Sequence, residues 1–243
     1  MKITDVQAFP LSFAVPPAEQ VSLGIGRTVK RDAVLVRVDT DSGLTGWGEA
    51  HAGRAPTVIA ELITSTLRPL ALGAQADDID GLWQRIYRLQ LASHGTGAAA
   101  ALALSGLDMA LWDLRGKAAG QPLYALLGGT ARALPAYAGG ISFGYGTPAA
   151  LVDEALAAQA AGYRALKLRV GLDVDTDVAR VRAVREACGR TLDILVDANC
   201  AYTLADARRA RSAFEALAVG WLEEPFPAHD HRAYLALGKS DEL

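Results

Sequence analysis

The sequence predicts an α/β fold in which a first part of α+β type precedes a part where strands and helices alternate. Three observations predict it: a start rich in strand patterns, a long helix of Ala and Leu, and a regular strand–helix alternation after that helix. The alternating strands recur about every 27 residues, a spacing typical of parallel strands joined by right-handed helical crossovers. A TIM-type barrel and a doubly wound sheet both fit this spacing.

The composition is that of an ordinary globular protein and excludes several classes of partner. The 243 residues are 51% hydrophobic and 21% charged, enough for one large core or two smaller ones. A net charge of -3 without a long basic run argues against nucleic acid. No apolar run long enough for a bilayer and no secretory signal occur, so no membrane partner is expected. The two cysteines, Cys188 and Cys200, are too few for a disulfide framework, which predicts a cytoplasmic protein.

The first half of the sequence has the patterns of antiparallel strands followed by helices. Strands are expected at residues 6–13 and 33–38, and the turn at 40–43 leads into a third strand at 44–49. The second and third strands should therefore pair as a hairpin. A loop rich in Pro, Gly and polar residues separates the first two strands. Helices are expected at residues 56–72, 79–91 and 98–118. The last helix is apolar on most faces and should therefore be buried.

The second half of the sequence repeats a strand–helix unit. Strands are expected at residues 134–138, 165–170, 194–197 and 219–223, and helices at 148–161, 175–188 and 204–217. We place the boundary between two domains after residue 125, which gives domains 1–125 and 126–243. A complete barrel takes about 250 residues, so the second domain is expected to be a truncated, partial barrel of about four βα units.

Charged residues stand at the ends of three predicted strands, where parallel barrels carry their chemistry. Lys167 and Arg169 are two positions apart on one strand and therefore face the same side. Asp197 ends the next strand, and Glu223 ends the one after it. Two carboxylates, without His or Cys at a strand end nearby, favour Mg²⁺ or Mn²⁺ over zinc.

Such a metal would bind a substrate carboxylate and stabilise the enediolate that forms when the neighbouring carbon loses its proton. Lys167 or Arg169 would exchange that proton or hold the carboxylate, and the second cation would favour a neutral, basic Lys167. Asn199, beside the metal site, is a candidate substrate-binding residue. His51 and Arg54, in a Gly- and Pro-bearing loop, are two further candidates.

Five segments of the sequence resemble one known family. They are GWGEA at 46–50, ALALSGLDMALWDLRGKAAGQPLYALLGG at 101–129, GYRALKLRVG at 162–171, VDAN at 196–199 and WLEEP at 221–225. In their order and spacing they resemble the mandelate racemase and muconate-lactonising enzyme family of the enolase superfamily. The matches extend over nearly the whole chain.

The resemblance implies an α+β capping domain followed by the first half of a modified (β/α) TIM-type barrel. Loops at about residues 15–28 and 51–56 would then shape the substrate pocket. The family binds magnesium through three carboxylates, of which Asp197 and Glu223 match two; the third belongs to a fifth strand. The distal base, an Asp–His dyad or a Lys on later strands, is implied to lie outside this chain, and the family usually forms homo-oligomers.

Arg169 departs from the family pattern. Racemases and cycloisomerases of this family commonly have a Lys there as a proton-exchanging base, whereas an arginine stays protonated and is a poor base. This difference favours a sugar-acid dehydratase, with a racemase, epimerase or cycloisomerase as alternatives. The chain by itself is expected to be inactive.

Other interpretations of the same residues remain open. Asp197 could cap the following helix, Glu223 could be a solvated loop acid, and the two cations could be structural partners of these acids. Two rival functions belong to other classes: a Schiff-base aldolase with Lys167 as the amine nucleophile, and a truncated, inactive scaffold.

Overall fold

The computed structural model describes residues 1–23, 26–94, 97–139 and 143–238. In chain order its strands are β1 (Ile3–Ala14), β2 (Ser22–Leu23), β3 (Gly26–Arg27), β4 (Lys30–Thr40), β5 (Thr45–Ala50), β6 (Ala165–Arg169), β7 (Asp193–Asp197) and β8 (Val219–Glu223). Its α-helices are α1 (Pro56–Glu61), α2 (Arg68–Ala71), α3 (Ile79–Ile86), α4 (Ala92–His94), α5 (Ala98–Ala119), α6 (Leu123–Leu126), α7 (Pro148–Ala160), α8 (Val174–Cys188), α9 (Leu204–Ala216) and α10 (His231–Gly238).

The chain packs as two compact units. The first consists of Met1–Ala14 and Lys30–Ala133, and the second of Val15–Val29 and Leu134–Leu243. The fold is therefore of mixed α/β type. The division into domains at residue 125 and the half-barrel arrangement stay predictions.

The first unit is built on an antiparallel sheet in the order β1-β4-β5. Alternate side chains of the central strand β4 point into the core, where Val34, Val36 and Val38 are fully buried. The opposite face carries the intervening, partly exposed residues. The predicted pairing of the second and third strands as a hairpin is confirmed.

Helices cover the buried face of this sheet, over the ranges that the sequence predicted. The first predicted helix consists of α1, a π-helical segment at Leu62–Leu67, and α2. The second consists of α3, a π-helical segment at Tyr87–Leu91, and α4. The third is α5, which ends at Gly120 in a left-handed conformation with φ of 60°.

Glycines let α5 approach β5 closely. A Cβ atom on Gly46 would lie 2.2 Å from the carbonyl oxygen of Ala110, and one on Gly48 would lie 2.2 Å from that of Gly106. Because any side chain would collide with the helix backbone, the Gly-x-Gly pattern of the GWGEA segment is a packing requirement.

The second unit contains a parallel sheet in the order β6-β7-β8, with α7, α8, α9 and α10 alternating with its strands. Buried aliphatic side chains on one face of the sheet form the core with the helices: Leu166, Leu168, Ile194 and Val196. The extents of α7, α8 and α9 agree with prediction to within one residue at each end.

The strand predicted at residues 134–138 does not form over its whole length. Among the described residues, this stretch pairs with the sheet only at Ala138, through a parallel bridge to Leu166. Pro135 lacks an N–H group, which is unfavourable inside a sheet.

The segment Val15–Val29 belongs to the second unit although it lies early in the sequence. Its short strands β2 and β3 pair antiparallel, and the Tyr145 N–H donates to the carbonyl oxygen of Ser22 at 3.1 Å. Part of the loop predicted to shape a substrate pocket is thus anchored to this unit.

Across the described ranges, none of the helices combines the length and the apolarity needed to cross a membrane.

Candidate functional site

Four charged side chains lie at or near the carboxyl ends of the three parallel strands. Arg169 pairs in register with Asp197, and Asp197 with Glu223. Lys167 is two residues before Arg169 on β6 and shares its face, because side chains alternate along a strand. Leu166 and Leu168, which alternate with these two cations along β6, are buried in the core on the other face.

The two cations connect the two acids. Lys167 Nζ donates to both carboxylate oxygens of Glu223, at 2.9 and 2.8 Å, and lies 3.3 Å from Asp197 Oδ2. Arg169 Nη1 donates to the same oxygen of Asp197. The Asp197 side chain is 2% exposed and that of Glu223 is 35% exposed. Both carboxylates therefore converge on one position that already accommodates a positive charge.

Lys167 carries its proton more firmly than an ordinary lysine. Burial lowers the pKa of its ammonium, but the hydrogen bonds that it donates to Glu223 and the negative charges of Asp197 and Glu223 outweigh burial and raise the pKa above its usual value. Among its charged neighbours, the cation Arg169 has less influence on this pKa than the two acids. A neutral, basic Lys167 stays a prediction. In its charged form, Lys167 can bind an anionic group.

Aromatic rings border this cluster. The Lys167 ammonium lies 5.6 Å from the centre of the Tyr137 ring, and Tyr137 meets Trp221 edge to face, with ring centres 5.8 Å apart. Neither aromatic residue was a predicted site residue. The sequence carried no signal for Tyr137, because its position depends on the bridge at the neighbouring Ala138.

Asn199 is held in an unusual backbone conformation next to Asp197. Its φ is 45°, in the left-handed region, and its N–H donates to Asp197 Oδ1 at 2.9 Å. Its side-chain Oδ1 is buried and has no hydrogen-bond partner among the described residues. Thr203, and not Asp197, caps the following helix α9, so the N-cap interpretation of Asp197 was wrong.

The donor set suits a hard divalent cation. Asp197 and Glu223 offer carboxylate oxygens, the ligands that Mg²⁺ prefers, and their convergence on the Lys167 ammonium shows that both can reach one cation. Within the part of the chain that the structure describes, no group of three or more His, Cys, Asp or Glu side chains could hold a metal. The two acids fit a magnesium site as part of its ligand set.

His51 and Arg54 lie in the first unit. His51 is exposed, and its Nδ1 accepts the N–H of Gly53 at 3.1 Å. Arg54 has a left-handed backbone with φ of 63°, and its carbonyl oxygen accepts a hydrogen bond from Lys30 Nζ at 3.3 Å. Substrate binding by these two residues stays a prediction.

Two family models match most of the chain. The model of the mandelate racemase / muconate lactonizing enzyme N-terminal domain matches residues 10–128, and an enolase C-terminal domain-like model matches residues 150–241. The chain therefore belongs to the mandelate racemase and muconate lactonizing enzyme family of the enolase superfamily.

Individual relatives within this family have several activities. A 3,6-anhydro-alpha-L-galactonate cycloisomerase from Streptomyces coelicolor is 37% identical over 91% of this chain and 60% of its own length. An arabinonate dehydratase from Saccharolobus solfataricus is 32% identical over 92% of this chain and 61% of its own length. The chain thus spans about 60% of the length of the curated relatives that it matches.

Solved structures of this superfamily share the fold. An enolase superfamily member from Polaromonas sp. has a TM-score of 0.94 and 53% identity, covering 98% of this chain and 62% of its own. A racemase from Streptomyces coelicolor with bound magnesium has a TM-score of 0.86 and 34% identity, covering 97% of this chain and 66% of its own.

Proposed function

We propose that the complete protein is a magnesium-dependent enzyme that removes the proton α to a carboxylate, most favourably in the dehydration of sugar acids. The observation that carries this proposal is the convergence of Asp197 and Glu223, in register at adjacent strand ends, on one cation position. These two acids would hold Mg²⁺, with Mn²⁺ as a substitute, and would leave positions for water and substrate oxygens. The bound ion supplies positive charge beside the substrate carboxylate, where negative charge develops during proton loss.

Lys167 and Arg169 act in this proposal as groups that bind and orient the substrate carboxylate. An arginine guanidinium keeps its proton at any physiological pH. Arg169 is therefore not suited to take a proton from carbon. In this proposal the base is a different residue of the complete protein.

Sugar-acid dehydration fits this assignment. The proton leaves the carbon next to the carboxylate, the hydroxyl on the following carbon leaves as water, and the resulting enol becomes a 2-keto acid. The presence of arabinonate, galactonate and xylonate dehydratases among the relatives supports this reaction class. Cycloisomerases and a dipeptide epimerase among the relatives keep isomerisation, racemisation or epimerisation as the second candidate.

A Schiff-base aldolase is less compatible with the site. Its lysine must be neutral to attack a carbonyl carbon, whereas the acidic partners of Lys167 raise its pKa.

The proposal extends to the surroundings of the site. Asn199, with its buried Oδ1 lacking a partner in the described residues, would bind a substrate hydroxyl or amine group. We also propose His51 and Arg54 as substrate-binding residues. We also propose a homo-oligomer in the cytoplasm, where both cysteines, which are free, stay reduced.

Calorimetric titration with Mg²⁺ tests the metal assignment. Asp197→Asn removes the charge of one ligand and should weaken Mg²⁺ binding by the complete protein about a hundredfold or more. Asp193→Asn is the matched control, since Asp193 is an exposed acid at the opposite end of the same strand β7. The control should bind Mg²⁺ as the unchanged protein does.

Screening sugar acids for a 2-keto product then tests the reaction. Dehydratase activity that requires Mg²⁺ and disappears in Asp197→Asn is the expected result. Mg²⁺ binding by Asp197→Asn with unchanged affinity would contradict the metal site. A protein that binds no Mg²⁺ at all would favour the inactive scaffold.

A further inference from the structure

A second cluster of polar groups in the second unit takes no part in the reaction proposed above. It is formed by Asp177 and Arg180 on α8, Tyr202 after β7, and Tyr145 before α7. Asp177 is 0% exposed and Arg180 is 2% exposed. Burying a carboxylate and a guanidinium costs free energy of folding unless both are paired and hydrogen-bonded. The hydrogen bonds of this cluster therefore indicate what it holds in place.

Asp177 connects the segments that leave two adjacent strands. Its Oδ2 accepts the N–H groups of Gly171 at 2.7 Å and Leu172 at 3.2 Å, which follow β6. The same oxygen accepts the Tyr202 hydroxyl at 2.8 Å, from the segment that follows β7. Its Oδ1 accepts Arg180 Nη1 at 3.1 Å.

Arg180 adds a third segment to this connection. Its Nη2 donates to the carbonyl oxygen of Gly144 at 2.7 Å, and its guanidinium lies 5.3 Å from the centre of the Tyr145 ring. The Tyr145 hydroxyl donates to the carbonyl oxygen of Val170 at 3.0 Å, one residue past Arg169.

The backbone held by the cluster has little room to shift. Gly171 has a φ of 111°, and a Cβ atom there would lie 2.7 Å from the Cβ of Ala201 and 2.8 Å from the carbonyl oxygen of Ala198. The Val170 N–H donates to the carbonyl oxygen of Asp197 at 2.9 Å. A displacement of either segment would therefore move the other.

The groups in the cluster act as fixed donors and acceptors. Burial raises the pKa of Tyr145 to about 12 and raises that of Tyr202 as well, so both phenols keep their protons. Burial also raises the pKa of Asp177, although the N–H groups, the Tyr202 hydroxyl and Arg180 oppose this effect.

We propose that Asp177, Arg180 and Tyr202 are positioning residues that set the magnesium affinity of the site. They act through the backbone: they hold the ends of β6 and β7 at the separation that brings Arg169 and Asp197 together. This inference rests on the proposed function, because it requires Asp197 to be a metal ligand.

Arg185 provides a matched control on the same helix. It is 9% exposed and, like Arg180, its guanidinium donates to backbone carbonyl oxygens. Its partners are Leu217, Gly189, Leu192 and Ala218, at 2.9, 2.8, 2.6 and 3.0 Å. These residues precede β7 and β8, so Arg185 fixes the amino ends of the strands while Arg180 fixes the carboxyl ends.

The test compares Arg180→Met with Arg185→Met in the complete protein, by calorimetric titration with Mg²⁺ and by thermal unfolding. Both variants should unfold at a lower temperature, because both lose buried hydrogen bonds. Arg180→Met should raise the Mg²⁺ dissociation constant about tenfold or more, and Arg185→Met should change it less than about twofold. Arg180→Lys, which keeps the charge opposite Asp177, should restore part of the lost affinity.

If Arg180→Met does not fold, Tyr202→Phe replaces it in the test, because this substitution removes only one hydroxyl group. Tyr202→Phe should also weaken Mg²⁺ binding. Equal changes in the two arginine variants, or unchanged Mg²⁺ affinity in the folded variants of the cluster, would overturn the inference. If the unchanged protein itself binds no Mg²⁺, the result contradicts the proposed function and not only the positioning role. Normal binding by the unchanged protein and its cluster variants alike overturns the positioning role alone.

Discussion

Asn199 combines two features that are each unfavourable for folding. Its left-handed backbone is a conformation that asparagine tolerates better than most residues. Its Oδ1 is buried without a hydrogen-bond partner among the residues that the structure describes, and such an atom loses its hydration without replacement. A substrate hydroxyl or amine group donating to this oxygen would remove that cost in the complex.

Asn199→Gly separates the side-chain amide from the backbone conformation, because glycine adopts positive φ without strain. We expect the Michaelis constant for the sugar acid to rise about tenfold, as one hydrogen bond to a buried oxygen is lost. The Mg²⁺ dissociation constant should stay within about twofold, since the N–H of residue 199 still reaches Asp197. Steady-state kinetics and calorimetric titration measure the two quantities.

Cys200→Gly is the control for this prediction. Cys200 also has a left-handed backbone, with φ of 63°, but is not a predicted substrate contact. Both quantities should be unchanged in this variant. A fall in Mg²⁺ affinity in Asn199→Gly, without a change in the Michaelis constant, would assign Asn199 to metal positioning instead.

At the residue scale, the sequence predicted which charged side chains meet, but not the direction in which they shift the pKa of Lys167. Strand alternation and parallel register were enough to bring Lys167, Arg169, Asp197 and Glu223 to one place. The charge state of Lys167 depends on whether its cationic or its acidic neighbours dominate, which only the distances decide. For the same reason, the ring of Tyr137 beside the Lys167 ammonium could not be predicted.

At the scale of elements, the contact between β5 and α5 is the most restrictive in the first unit. Gly46 and Gly48 lie on the buried face of β5, and Gly106 lies on the facing side of the helix. The sequence predicted both elements. At the three glycines, however, the backbone of β5 and the backbone of α5 contact each other directly, without side chains between them. This close approach was not apparent from hydrophobic periodicity.

Gly48→Ala should destabilise the protein by about 3 kcal/mol, at the upper end of the cost of overpacking a core. The added methyl group would meet the backbone of α5, which cannot rotate away as a side chain does. Urea unfolding followed by circular dichroism measures the change in the free energy of unfolding. Glu49→Ala, on the exposed face of the same strand, should change it by less than about 0.5 kcal/mol. Equal effects of the two substitutions would contradict the packing explanation.

Helices were more predictable than strands because their apolar periodicity extends over more residues. The extents of α5, α7, α8 and α9 follow from the sequence to within about a turn. The π-helical segments at Leu62–Leu67 and Tyr87–Leu91 were not predicted. The predicted strand at 134–138 was too long, because Pro135 has no N–H group to donate to a neighbouring strand.

At the scale of the whole molecule, magnesium should stabilise the two units differently. At a free concentration one hundred times the dissociation constant, Mg²⁺ should stabilise the unit that binds it by about 2.7 kcal/mol. Amide hydrogen exchange in β6, β7 and β8 should therefore slow with added Mg²⁺, whereas exchange in β1, β4 and β5 should not.

Exchange measured by mass spectrometry in the presence and absence of Mg²⁺ checks this prediction. Asp197→Asn should abolish the effect in the parallel sheet. Equal slowing in both sheets would contradict independent stabilisation, and no slowing in either would argue against the metal site.

The early segment Val15–Val29 has a consequence for how the protein forms during synthesis. The chain passes from one compact unit to the other at residues 14–15, again at 29–30, and a third time at 133–134. On the ribosome, Ser22 emerges long before Tyr145, its hydrogen-bond partner in the second unit. We therefore expect the first unit to fold while Val15–Val29 still lacks its partners in the second unit. Until those partners are synthesised, this segment should be accessible to proteases and chaperones.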